Sequence, residues 1–203
     1  MPSPLRLAVP LALTTFRLLL APAIVVLAHT GVTGSVFAVL MVVAFLSDLF
    51  DGILARRLGV VTAALRRYDV VADVVFYLAV LWCVVVMQPD VAVAYAAPFA
   101  GILVLEGVCQ AISLARFRQT TATHAWLCKA WAVLLCVASA ALLGFGVAGP
   151  LLLVTVLLGY VAYADVLLIL VLSPVPPVDT PSAYHVWRSL RRAAAERAPT
   201  AGP

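Results

Sequence analysis

Four aspartates, Asp48, Asp51, Asp69 and Asp73, fall within one 27-residue stretch, SDLFDGILARRLGVVTAALRRYDVVAD, together with Arg56, Arg57, Arg66 and Arg67. Carboxylates three or four residues apart share one face of a helix. If the chain reverses between the two pairs, they face each other, and four carboxylates in a partly dry site repel unless positive charge sits among them. Hard divalent cations take oxygen ligands, and Mg²⁺ commonly arrives with a substrate's phosphates. Two such ions stabilise the attacking and leaving oxygens of a phosphoryl-type displacement. The competing reading pairs the aspartates with Arg56, Arg57, Arg66 and Arg67 in an interfacial salt-bridge cluster. For one Asp–Arg pair that reading is the stronger. For four aspartates at spacings of 3, 18 and 4, beside Gly52 and Ala55-Arg56, the metal reading is preferred.

The elements that position these residues are apolar. The chain has 203 residues, 65% of them hydrophobic and 11% charged, which excludes an ordinary soluble domain. A spanning helix needs about 20 mostly apolar residues. Six segments qualify, near Val9–Ala28, Ser35–Ala55, Tyr68–Met87, Val91–Leu114, Ala125–Phe145 and Pro150–Leu172. The expected fold is an all-α integral membrane protein, residues 1–172 forming one six-helix domain and 173–203 a basic cytoplasmic tail. Pro174, Pro176 and Pro177 break the last span, and Ala183–Arg197 reads as a short interfacial helix, with a disordered basic tail as the alternative. Residues 1–28 read as a retained helix in preference to a signal peptide, since the run is long enough to span and Arg17 interrupts it.

Basic residues set the expected orientation. Arg56, Arg57, Arg66 and Arg67 lie between the second and third spans, Arg116 and Arg118 between the fourth and fifth, and Arg188, Arg191, Arg192 and Arg197 in the tail. The opposite loops carry no Lys or Arg, so the positive-inside bias puts both termini in the cytoplasm of a multi-pass plasma-membrane protein. The net charge of +4 then reflects orientation and contact with the lipid bilayer, not nucleic-acid binding. Asp48 and Asp51 fall at the cytoplasmic end of the second span, Asp69 and Asp73 at the start of the third. Cys83, Cys109, Cys128 and Cys136 read as packing residues, and His29, His124 and His185 as surface residues.

The pattern Asp48-x2-Asp51-Gly52-x2-Ala55-Arg56, continued by Asp69-x3-Asp73, resembles the signature of the CDP-alcohol phosphotransferase family, D-x2-D-G-x2-A-R-x8-G-x3-D-x3-D. Leu13-Thr14-x2-Arg17-x4-Pro22 is similar to the opening helix of phosphatidylglycerophosphate synthases, and Trp126-Leu127-Cys128-Lys129 more weakly resembles a W-L-G-K segment of theirs. The resemblance implies six helices with a cytoplasm-facing site, a homodimer, and transfer of a phosphatidyl or similar group from a CDP-linked donor, with CDP-diacylglycerol preferred, to a small alcohol with release of CMP. It implies two Mg²⁺ or Mn²⁺ ions held by Asp48, Asp51 and Asp69, with Asp73 as general base that also touches a metal. Gly52 and Ala55 would leave room for the cytidine, and Arg56 would position the motif or the donor phosphates. By charge alone, Arg116, Arg118 and Lys129 suit a phosphate on the acceptor, and they suit ordinary positive-inside residues equally well.

Two departures stand out. Leu65 occupies the place of the signature's second glycine, and Val70 and Val74 stand where phosphatidylglycerophosphate synthases tend to have Pro and Lys. Leu65 admits three outcomes: a small loop shift aided by Gly59, a reshaped donor pocket, or a catalytically degenerate scaffold of the same fold. An ion-coupled transporter is the remaining class, disfavoured because the aspartates cluster at one face and no repeat is visible. Arg17 either snorkels or lines the site, Glu106 has no evident partner, and Asp165 suits a helix or dimer interface. Ala-, Val- and Arg-rich usage with one lysine fits a GC-rich bacterial genome.

Overall fold

A computed structural model describes residues 4–32, 34–60, 62–119, 125–177 and 180–197, without the side chains of 4–6, 63, 66 and 193–197. His124 and the side chains of Arg66 and Arg197 therefore lie outside the described residues. Among the described residues all regular structure is helical, in the order α1 (Pro4–His29), α2 (Ser35–Arg57), α3 (Ala63–Met87), α4 (Pro89–Phe117), α5 (Trp126–Phe145), α6 (Pro150–Leu172) and α7 (Ala183–Arg197). The first six contain apolar stretches of 20 to 29 residues, long enough to cross a bilayer. The protein is an all-α, multi-pass membrane protein followed by a short seventh helix.

The helices run further than composition suggests. Because Thr62 accepts the Leu65 backbone N–H at 3.1 Å, α3 starts at Ala63, five residues before the expected Tyr68. Arg56 and Arg57 belong to the last turn of α2, where the helix dipole favours cations. Beyond them, Gly59 takes φ +65°, its N–H bonds the Arg56 carbonyl at 3.2 Å, and the Val60 N–H reaches the Ala55 carbonyl at 3.1 Å. This paired arrangement is the Schellman C-cap, which needs a left-handed residue that glycine supplies without strain. Gly59 thus fixes the chain reversal between the aspartate pairs, where sequence reasoning had it supplying flexibility.

Contacts along the chain define two compact units, Met1–Tyr95 with Cys136–Gly149, and Ala96–Leu135 with Pro150–Pro203. In the first, α1 packs on α2 and α3 through small residues, Ala21, Ala28, Ala44 and Ala79, around Phe37, Ile24 and Phe76. Small side chains let membrane helices approach closely, where van der Waals contact replaces the hydrophobic drive of water. In the second, Trp131 donates to the Thr155 carbonyl at 3.0 Å, and α6 packs on α7. Asp165 of α6 accepts the first N–H of α7, from Ala183, at 3.0 Å, a favourable place for a carboxylate. Asp165 therefore serves a helix interface within the chain. Glu106 lies close enough to Tyr163 to interact with it.

Candidate active site

The site grows from α1. Along it Pro10, Thr14, Arg17, Ala21, Ile24 and Ala28 recur every three or four residues, and all are buried. They form the stripe that α1 turns toward α2 and α3, so Arg17 points into the protein and does not snorkel. Arg17 is 2% exposed. A lone arginine at such depth is costly, and it is tolerated when paired.

Its partners are the four aspartates. Arg17 Nη1 lies 2.5 Å from Asp48 Oδ1 and 3.6 Å from Asp51 Oδ2. Arg17 Nη2 lies 2.5 Å from Asp69 Oδ1 and 3.1 Å from Asp73 Oδ1. The two carboxylate pairs, on α2 and α3, thus face each other as their spacing implied, with one guanidinium between them. The competing salt-bridge reading is not met at Arg56, Arg57 or Arg67: among the described residues, none of the four aspartates pairs with them.

One guanidinium does not balance four carboxylates. Asp51 is nearly buried, whereas about a third or more of the Asp48, Asp69 and Asp73 side chains is open. Asp48, Asp51 and Asp69 each offer one oxygen, all within 4.8 Å of one another, the convergence a divalent cation requires. These donors are hard oxygens only, which suits Mg²⁺ or Mn²⁺. Asp73 stands outside that trio and joins the cluster through Arg17.

Supporting contacts come from residues that sequence reasoning had not singled out for this purpose. The Thr14 hydroxyl is 3.1 Å from both Asp51 Oδ2 and the Pro10 carbonyl; with one proton it donates to either in turn. Thr15 and Tyr68 share a hydrogen bond of 3.0 Å between α1 and α3. The signal was the three- and four-residue spacing of small and polar residues on α1.

The other expected site residues are placed as follows. Ala55 is buried, and Gly52 lies on the same α2 turn; a Cβ at Gly52 would sit 3.6 Å from the Arg56 guanidinium, which folds back over it. Leu65 sits in the first turn of α3 in ordinary helical conformation, so nothing in the backbone there demands glycine. Arg116, Arg118 and Lys129 belong to the other unit. Arg116 donates at 2.7 Å to the Leu170 and Val171 carbonyls, satisfying the end of α6. Arg118 ends α4 at φ +55°, and Lys129 is exposed on the first turns of α5.

Comparison with known proteins agrees with this geometry. The chain is 37% identical over 71 residues to a CDP-diacylglycerol--glycerol-3-phosphate 3-phosphatidyltransferase of Wigglesworthia glossinidia brevipalpis, a match spanning 34% of this chain and 39% of the relative. No solved structure matches. The family model for CDP-alcohol phosphatidyltransferases matches residues 7–170, which takes in α1 from Leu7, the four aspartates and nearly all of α6. The chain belongs to the CDP-alcohol phosphatidyltransferase family.

Proposed function

We propose that this protein transfers a phosphatidyl or related phosphoryl group from a CDP-linked donor to a small alcohol, releasing CMP, in phospholipid synthesis. The observation that carries the reading is the convergence of four carboxylates on a site with, among the described residues, one resident cation. CDP-diacylglycerol is the preferred donor, since a donor held in the bilayer suits a site built on membrane helices. The matched relative is named for that donor and for glycerol 3-phosphate, which makes this acceptor the first to try.

Asp48, Asp51 and Asp69 would hold Mg²⁺ or Mn²⁺, two ions in the full reading. Such ions, when bound, neutralise charge developing on the donor's phosphates. The remaining work falls to the chain. Asp73 takes the proton from the acceptor hydroxyl as its oxygen bonds to phosphorus, and the bond to the CMP oxygen breaks with its electron pair leaving on CMP. Gly52 and Ala55 present a low surface to the cytidine. Arg56 meets the donor phosphates as a planar cation, a geometry suited to phosphate oxygens. Arg116, Arg118 and Lys129 are proposed for a phosphate on the acceptor. The six helices through Leu172 form the enzymatic domain, with 173–203 a cytoplasmic tail, both termini inside a bacterial plasma membrane and two copies forming a homodimer.

The deciding experiment is CMP release by purified protein in lipid–detergent micelles. It supplies CDP-diacylglycerol, Mg²⁺ or Mn²⁺ and a panel of alcohols, with Asp73→Asn as control. Release that needs both ion and alcohol, and is lost in the variant, is the expected result. Silence from folded, ion-binding protein, unrelieved by Leu65→Gly, would leave a non-catalytic scaffold of this fold.

A further inference from the structure

The Arg17 guanidinium lies where divalent ions would have to reach their ligands. Its two terminal nitrogens touch all four carboxylates, including each member of the trio whose oxygens converge within 4.8 Å. Mg²⁺ takes oxygens at about 2.0–2.1 Å. An ion drawing oxygens of Asp48, Asp51 and Asp69 would therefore stand within a few ångströms of a full positive charge, in a site only partly wet. Repulsion at that range is strong, because the partly buried interior screens poorly.

A second, independent feature concerns how Arg17 is held. Its Nε is buried and, among the described residues, has no hydrogen-bond partner, so the fork is anchored at its tips, by the aspartates. A structural arginine usually has its Nε bonded as well, since a buried donor without a partner is unfavourable. Among the described residues, the hydrogen bonds that hold the fork all run to carboxylates, the same groups a divalent ion would claim.

We propose that Arg17 is a resident counter-cation that holds the four-aspartate site together without metal and is displaced from it when divalent ions bind. Guanidinium and ions compete for the same oxygens. The side chain thereby keeps the site assembled in the bilayer before ions arrive, at the expense of ion affinity. The proposal rests on the divalent-ion reading above.

The test is an Mn²⁺ titration of the purified full-length protein, without donor or acceptor, following free Mn²⁺ by electron paramagnetic resonance. Wild type is compared with Arg17→Met, which keeps the bulk and removes the charge, and with Arg17→Lys. The expected result is Mn²⁺ binding at least about tenfold tighter in Arg17→Met, equivalent to ~1.4 kcal/mol, with a smaller gain in Arg17→Lys. The metal-free melting temperature of Arg17→Met falls, and Mn²⁺ raises it by more than in wild type. If Arg17→Met does not fold, Arg17→Lys decides, because its compact ammonium cannot engage both carboxylate pairs at once. Wild-type or weaker affinity in the folded variants would overturn the proposal, making Arg17 a support for the ligands and not their competitor. Absence of Mn²⁺ binding in folded wild-type protein would overturn the divalent-ion reading, and this proposal with it.

Discussion

At the scale of single residues, fold and chemistry separate at Gly52. Its missing Cβ would make only ordinary contact with Arg56, so the helix does not need glycine there. Gly52→Ala is expected to stabilise α2 by about 0.5–1 kcal/mol through helix propensity, read as a higher melting temperature. The same change should raise the KM for the CDP donor if the cytidine approaches that backbone; an unchanged KM would remove Gly52 from the donor site. Asp73 and Asp51 separate in a different way. Asp73→Asn should lower CMP release by about 10²–10⁴-fold while leaving Mn²⁺ affinity within a few-fold, since Asp73 stands outside the converging trio. Asp51→Asn should lose both. Equal losses of ion binding in the two variants would make Asp73 a ligand first and a base second.

At the scale of elements, two helix ends carry opposite expectations. Gly59 closes α2 in the left-handed region, where a side chain is strained, so Gly59→Ala should destabilise by about 1–2 kcal/mol. Arg118 holds the same kind of conformation at the end of α4 without being glycine. Arg118→Gly should accordingly raise the melting temperature, while lowering turnover only if its guanidinium meets the acceptor. The six spans were legible because long apolar runs between Gly and Pro breaks admit few other readings, and α6 begins and ends where hydropathy alone places it. The starts of α3 and α4 were not legible in the same way. Thr62 and Pro89 begin those helices by local capping chemistry and preset backbone geometry, which an average over 20 residues hides. The aspartates were legible because each pair lies within a single helix, Asp48 and Asp51 on α2 and Asp69 and Asp73 on α3. Arg17 was ambiguous because its partners lie 31 to 56 residues away, and only the buried stripe on α1 points it inward.

At the scale of the whole molecule, the proposed orientation and the proposed homodimer can each be tested directly. Native Cys83 and Cys109 are buried, so thiol labelling in intact cells has little background from them. Thr30→Cys, at the end of α1, should react with an impermeant reagent from outside. Tyr184→Cys, on α7, should react only after the membrane is opened; the reverse pattern would invert the proposed topology. α7 suits a membrane surface, with Tyr184 and Trp187 exposed and Arg191 stacked on Trp187 at 4.3 Å. The proposed homodimer should appear as a cross-linked species of about twice 21.5 kDa in native membranes.

A buried arginine on the first helix also has consequences for the order of synthesis. α1 leaves the ribosome before any of the four aspartates exists, and Asp73 follows Arg17 by 56 residues. At about 5–20 residues per second, the nascent chain spends several seconds with this charge unmatched, a cost of roughly 2.5–3.5 kcal/mol at a helix centre and less toward the interface. Pairing with α2 and α3 removes that cost, so α1 is expected to insert more completely once they are present. A chain stopped after residue 34 should integrate poorly beside one stopped after residue 88, and Arg17→Leu should erase the difference.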